Sequence, residues 1–427
     1  MRKRMVVLVV SLAVCATLWA EGAAEGARKG PVTITFVRKN TTLPAGYEQI
    51  FAQFKAKTGN TVEIQALPAG EEYGQLLMTR FATKDYPDVF EMDPGAKQYS
   101  KFRAEETLYE WSKDKIIERL VESSRDFAKL DGKIYGVPWG ATNSFGVYYN
   151  REVFARIGVS LPKSYAELLD ICKKAKAAGT IPVYEAVKTG WPAQIYSLAS
   201  WVTWVDPAIG DDGVARLNVN QLRLNEIPAF RQVLQRQVQL KTLGYYQDNV
   251  LAGTYEEQQD LFAQGKVAMI FQLTGVLPVL QKKFGDDFVK NRVGWFPMPA
   301  ESSEGIACLS PGGQLMVPRD RPNAAVSTDL VRFMTEKESL DIWYKTNPGI
   351  PIFKEGTSVL LPAQEEVLRM AKAGKAKINL QNRIASSFPD YPKILQQLFT
   401  DGDVDNALKL LDDNYRRTGK ARQLPGF

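Results

Sequence analysis

From Val32 onward, apolar and polar positions alternate. Val32, Ile34 and Phe36 are interleaved with Thr33 and Thr35, the period-two pattern of a strand. Tyr47, Ile50, Phe51 and Phe54 then recur at helical spacing, and Gly59 supplies a stop. Val62, Ile64 and Ala66 predict a second strand, Glu71 to Ala82 a polar helix, and Pro87-Asp88-Val89-Phe90 the opening of a third strand. This β-α-β-α-β order predicts parallel strands joined through helices. A second alternating unit follows. Ser164 to Glu167 is a capping box ahead of the stripe Leu168, Ile171, Cys172, Ala175, which runs to Gly179, and Ile181 to Val187 predicts a strand. Thr254 to Glu257 is another capping box, ended by Gly265 and followed by alternation at Val267, Met269 and Phe271. The last hundred residues are mostly helical, as with Val404, Ala407, Leu408 and Leu411 behind Asp403. No fixed-period repeat occurs, which excludes a solenoid. Two α/β units plus helices predict two lobes with a cleft between them.

The start of the chain reads differently. Arg2-Lys3-Arg4 precede an apolar run from Met5 to Val14, and small residues follow through Ala24, the layout of a secretory signal peptide over residues 1–24 with cleavage after Ala20, Ala23 or Ala24. The run is well short of the roughly 18–20 apolar residues of a membrane span. Leu12-Ala13-Val14-Cys15 resembles a bacterial lipobox that would anchor the chain through Cys15, although Val14 is a poor residue before the cysteine. Of 427 residues, 54 are Lys or Arg and 48 Asp or Glu, a net charge of +6 that falls to +3 when Arg2, Lys3 and Arg4 are removed. A near-neutral mature chain without basic runs predicts no nucleic-acid partner. Cys172 and Cys308 are expected as buried free thiols, since a framework of bridges needs more cysteines.

Histidine is absent, which removes His-based triads, HExxH metalloproteases and imidazole metal sites. Neither a P-loop nor GxGxxG nor GxSxG occurs. No cofactor or metal is expected, because Tyr148-Tyr149, a pair of the kind that holds ferric iron in some binding proteins, would point to opposite faces of a strand. Ligands of open α/β sheets bind beyond the carboxyl ends of the strands. Those ends carry Arg38, Lys39 and Asn40 after the first strand and Glu91, Met92 and Asp93 after the third. Trp139 and Asn143 lie on the segment 132–143, and Trp191 and Gln194 follow a strand end. Aromatic planes cover the apolar faces of a sugar, while Asp, Asn, Gln and Arg engage its hydroxyls. Trp201, Trp204, Trp295 and Trp343 are assigned to packing.

Residues 131–169, DGKIYGVPWGATNSFGVYYNREVFARIGVSLPKSYAELL, resemble the bacterial extracellular solute-binding proteins of sugar-uptake ABC importers, family 1, with the maltose-binding protein among them. The match includes Tyr149-Asn150, Phe154, Gly158, Pro162, Ser164 and Glu167, with Tyr165 in place of the usual Trp. Phe262 to Met269 (FAQGKVAM) and Ser310-Pro311-Gly312-Gly313 are similar to two further family segments, and the likeness spans roughly residues 31–420.

The resemblance implies an α/β, two-lobe periplasmic-binding-protein fold (type II, flytrap). Each lobe would be a mainly parallel sheet flanked by helices, with C-terminal helices added. Residues 31–142 and 309–350 would form lobe 1, and residues 143–308 and 351–427 lobe 2, with crossings near 139–146, 305–312 and 348–355. It implies a monomeric transport protein of the periplasm that captures a small-molecule carbohydrate and delivers it to the transmembrane permease subunits of an ABC importer, without catalysis. By position, Asp93 would bind sugar hydroxyls, Trp139 and Asn143 would sit at the first crossing, and Trp191 and Gln194 would come from lobe 2. Gly312 and Gly313 would let backbone approach the ligand, and Arg383 and Phe388 would add a C-terminal contact. Where the family usually shows Gly-Ser-Trp, this chain has Leu273-Thr274-Gly275, so a stacking platform is missing and Gln272 and Thr274 are left as hydrogen-bonding candidates. An exported carbohydrate-active enzyme, a ligand-presenting partner of a chemoreceptor, and a polyol, phosphorylated polyol or polyamine as solute are the competing readings.

Overall fold

A computed structural model describes residues 30–39, 44–67, 71–130 and 132–427. The expected signal peptide, Cys15 and Asn40 lie outside the described residues. Among the described residues the strands are β1 (Thr33–Lys39), β2 (Thr61–Leu67), β3 (Val89–Met92), β4 (Gly136–Pro138), β5 (Ala141–Asn150), β6 (Ile181–Val183), β7 (Val267–Leu273), β8 (Val293–Phe296), β9 (Ala307–Ser310), β10 (Gln314–Met316), β11 (Ile350–Pro351) and β12 (Ala376–Ile378). They form two sheets. The first has the order β2-β1-β3-β10-β4, with β1 parallel to β2 and β3 as the periodicity predicts, and with β10 inserted antiparallel to both β3 and β4.

The second sheet departs from the mainly parallel expectation. It is built around the long β5, which runs antiparallel to β7, β8 and β9, and only β6–β7 and β12–β9 pair in parallel. The reason is the connectivity. β5 enters this sheet directly from the first lobe instead of arriving over a crossover helix, so nothing forces its neighbours into the parallel sense that helical crossovers impose.

Both sheets are covered on both faces, which is why their strands read as dense apolar runs. In the first, Phe36, Val89 and Leu315 pack into one core, while Val37, Phe90 and Met316 pack into another. In the second, Met269 and Phe271 face a large helical core and Tyr148 and Ile270 the opposite one. The expected β6 of residues 181–187 stops at Val183, because the Gln247 side chain takes over the hydrogen bonds of Glu185, accepting from its N–H at 3.0 Å and donating to its C=O at 2.7 Å. The helices start where their caps predict. Ser164 accepts from the Glu167 N–H at 3.2 Å, Thr254 from the Glu257 N–H at 3.2 Å and Asp403 from the Asn406 N–H at 2.9 Å.

The chain passes between the lobes through β4–β5, through the β9–β10 segment, and around β11. Ile352 and Phe353 are buried in the first lobe's core, and Cys308, Leu309 and Ser310 of β9 pair with β5 in the second sheet. Cys172 and Cys308 are buried free thiols.

Candidate functional site

A cavity of about 400 Å³ opens at the carboxyl ends of β1 and β3. Arg38 and Lys39 at the end of β1 and Glu91, Met92 and Asp93 at the end of β3 line one side. Trp139 to Ala141, Asn143 and Ser310 to Gly313, where the chain crosses between lobes, close the back, and Trp343 borders the floor. Of the residues expected at the site, Glu91, Asp93, Trp139, Asn143, Gly312 and Gly313 are therefore brought together.

The polar groups of this wall are already linked. The Trp139 indole N–H donates to the Tyr47 hydroxyl at 2.8 Å, the Tyr47 hydroxyl donates to Glu91, and the Arg38 guanidinium holds the other Glu91 oxygen at 3.2 Å. Burial pushes the Glu91 carboxyl above the ordinary carboxylate range, and Arg38, Tyr47 and Lys39 pull against it without cancelling it. Asp93 differs. Burial again acts upward, but Lys39, which pairs with it directly, together with Lys101 and Lys97 outweighs burial and holds this carboxyl below its usual value. The loop carrying Asp93 is fixed from behind by Gln314 on β10, whose amide donates to the carbonyls of Asp93 at 2.8 Å and Gly95 at 3.0 Å.

Trp139 and Trp343 are mostly packed, only 3% and 7% exposed, and form one aromatic cluster with Tyr47 at centroid distances of 4.9–6.3 Å. Trp343 packs in the first lobe's core, as its assignment to packing expects, and it also borders the cavity. Gly312 and Gly313 approach protein backbone here. A Cβ on Gly312 would lie 2.3 Å from the Trp139 carbonyl oxygen, and one on Gly313 3.1 Å from that of Met92. Their role in the structure is to let the crossing segments touch.

The remaining expected residues stand outside this cavity. Trp191 is partly exposed on a short 3-10 turn, its ring edge against Tyr255 at 5.1 Å, and the Gln194 amide donates to the Trp191 carbonyl at 3.3 Å. Gln272 is buried on β7 and donates to Gln258 at 2.8 Å. The Thr274 hydroxyl is buried and bonded to the backbone of Ser144, accepting at 2.7 Å. Arg383 is committed to Asp206 at 2.7 Å and Asp211 at 2.6 Å. Phe388 lies in the helical core, stacked on Tyr415 at 5.3 Å and beside Trp201. For these last four the physical reason is the same: each is satisfied or covered by its own lobe.

Three residues beyond those expected belong to the site. Tyr47 links Trp139 to Glu91. Lys97, on the 3-10 segment Ala96–Phe102, donates from Nζ to the Gln381 carbonyl of the second lobe at 2.8 Å. Asn382, next to Gln381, donates to the Ser310 hydroxyl at 3.1 Å, which brings the second lobe's C-terminal segment to the cavity rim. Tyr47 falls on the apolar stripe of its helix, and nothing in that periodicity distinguishes a core tyrosine from one whose hydroxyl reaches a carboxylate.

Two α/β lobes joined by several crossings, with a polar cavity at strand ends where they meet, define a cleft-binding protein of the two-lobe type. The chain belongs to the bacterial extracellular solute-binding protein family, whose family model matches residues 39–340. It is similar to the multiple sugar-binding protein of Streptococcus mutans, 22% identical over 339 residues, or 78% of each chain. It is also similar to YcjN of Escherichia coli, a putative ABC transporter periplasmic-binding protein, 22% identical over 417 residues, covering 91% of this chain and 87% of that one. Among solved structures, the solute-binding protein RafE in complex with raffinose superposes with a TM-score of 0.74 at 18% identity, over 90% of this chain and 99% of that one. No described helix is long and apolar enough to cross a membrane.

Proposed function

We propose that this chain is the solute-binding component of an ABC importer. It captures a sugar or small oligosaccharide in the interlobe cleft and hands it, chemically unchanged, to transmembrane permease subunits. In this reading it works as a monomer in the periplasm after export, and the lobes comprise residues 31–142 with 309–350 and 143–308 with 351–427, apart from Leu309, Ser310, Ile352 and Phe353 at the crossings, which join the opposite lobe. The observation that carries the reading is the cavity at the carboxyl ends of β1 and β3, backed by the crossing segments and rimmed from the second lobe by Gln381 and Asn382. Relatives named as sugar-binding support the solute class.

The mechanism follows from differential affinity. A solute touching both walls stabilises the closed arrangement only to the extent that it binds closed better than open. Moving a 1:99 population to 99:1 needs about 5.5 kcal/mol of such preference. A few charge-assisted hydrogen bonds at about 1.5–3 kcal/mol each would supply it. The test is a thermal-shift screen of the mature protein against a panel of sugars and oligosaccharides, with the bound solute recovered and analysed afterwards. A cognate solute at 100 times its Kd should stabilise the fold by about 2.7 kcal/mol, and it should come back intact. Cleavage of the recovered solute would establish the carbohydrate-active enzyme instead, and a panel without any shift would reject the sugar reading.

A further inference from the structure

We propose that Tyr344 is a positioning residue of the hinge: its hydroxyl joins the first and third chain crossings and sets the balance between open and closed lobes. The proposal rests on the two-lobe, solute-binding reading above, and its test needs no solute, so the two can fail separately.

Tyr344 lies beside Trp343 on the helix Lys337–Thr346 and is buried in the first lobe's core. Its hydroxyl donates to the Gly140 carbonyl at 2.9 Å and accepts from the Ile352 N–H at 3.1 Å. Gly140 links β4 to β5, and Ile352 directly follows β11, so one oxygen atom is bonded to the backbones of two crossings. The strand register gives the reason. β11 pairs antiparallel with β5, Ile350 opposite Thr142 and Pro351 opposite Ala141. One step further along this ladder, Ile352 stands opposite Gly140. Proline has no N–H, so the next donor after Ile350 is Ile352. Its N–H and the Gly140 carbonyl reach each other through the Tyr344 hydroxyl, which stands in the ladder as a one-atom spacer between the crossings.

Such a spacer sits where lobe rotation must act. Gly140 has φ 91°, a conformation that glycine adopts without steric cost, and rotation about its bonds turns the carbonyl that Tyr344 holds. Trp139, Gly140 and Ala141 line the cavity, and so does Trp343, the neighbour of Tyr344. A solute pressed against that wall therefore acts on both the helix that carries the hydroxyl and the carbonyl that the hydroxyl grips. Whichever lobe arrangement keeps both bonds is favoured over one that breaks either.

The experiment is a pulsed electron-spin distance measurement on the ligand-free mature protein. Spin labels go on Gln53→Cys in the first lobe and Gln235→Cys in the second, both exposed helix positions, while Cys172 and Cys308 are buried. Tyr344→Phe keeps the ring and removes the hydroxyl, and the ratio of long to short lobe distances should change about fivefold, the effect of one typical hydrogen bond. Gly140→Ala approaches the junction from its other side. Nothing stands within 4 Å of the added Cβ, so this variant perturbs the backbone torsion alone, and it should move the same ratio. Tyr99→Phe is the matched control. The Tyr99 hydroxyl is also buried, donates to the Ala128 carbonyl at 2.6 Å and accepts from the Gly136 N–H at 3.2 Å, but both partners lie within the first lobe. Its loss should lower the Tm and leave the distances as they are. Distances unchanged in both Tyr344→Phe and Gly140→Ala, or changed as much in Tyr99→Phe, would overturn this inference and leave the solute-binding reading standing.

Discussion

At the scale of single residues, the site is organised by a tyrosine. Tyr47 accepts from Trp139 and donates to Glu91, so Tyr47→Phe leaves a buried indole N–H and a buried carboxylate each short of a partner. The expected cost is about 1–3 kcal/mol, read as a lower Tm of the ligand-free protein. Asp93→Ala should leave that Tm nearly unchanged, because its side chain is half exposed, and should weaken solute binding in titration. Glu185 behaves in the opposite sense to a paired carboxylate. It is fully buried, one of its oxygens accepts from the Ala186 N–H, the other has no partner, and burial pushes it up to about 8. The unfolded chain releases this proton near its ordinary value of 4.5, whereas the folded chain keeps it until about 8, so its contribution to stability is lost as pH rises through that interval. Glu185→Gln should therefore raise the Tm at pH 8 by an amount on the order of 5 °C and change it little at pH 4, which thermal melts at the two pH values will decide.

At the scale of elements, what could be foreseen depended on whether the cause was local. The helix Tyr47–Thr58 ends on Gly59 at φ 79°, and β1 to β3 keep the expected order and sense, because their periodicity and stops lie within a dozen residues. β10 and β4 are three residues each and pair across more than 170 positions of sequence, so no alternation could announce them. The site divided along the same line. Glu91, Asp93, Trp139 and Asn143 follow from strand ends and the first crossing, whereas Arg383 and Phe388 carried only positional similarity and are held by Asp206, Asp211 and an aromatic core. Close packing of crossing segments also decides Gly312, where alanine would need its Cβ 2.3 Å from the Trp139 carbonyl. Gly312→Ala should cost about 1–3 kcal/mol, measurable by chemical denaturation. The C-terminal helix contributes at its far end. Arg422 grips the Lys97 carbonyl from the second lobe, so Arg422→Ala should favour the open arrangement, seen as a larger radius of gyration in solution scattering without solute.

At the scale of the whole molecule, each lobe is assembled from separated stretches of chain, and the first sheet depends on a strand from the second half of the sequence. β10 lies between β3 and β4, and β4 has no other strand partner among the described residues. A fragment ending at Gly305 lacks that strand, and it should be cut rapidly by a protease that leaves the full chain intact. The same arrangement sets a clock on synthesis. Until some three-quarters of the polypeptide has left the ribosome, the earliest-made lobe has a slot in its middle and cannot finish folding. A protein built this way stays threadable for most of its birth, which suits the export through a narrow channel that the proposed function entails.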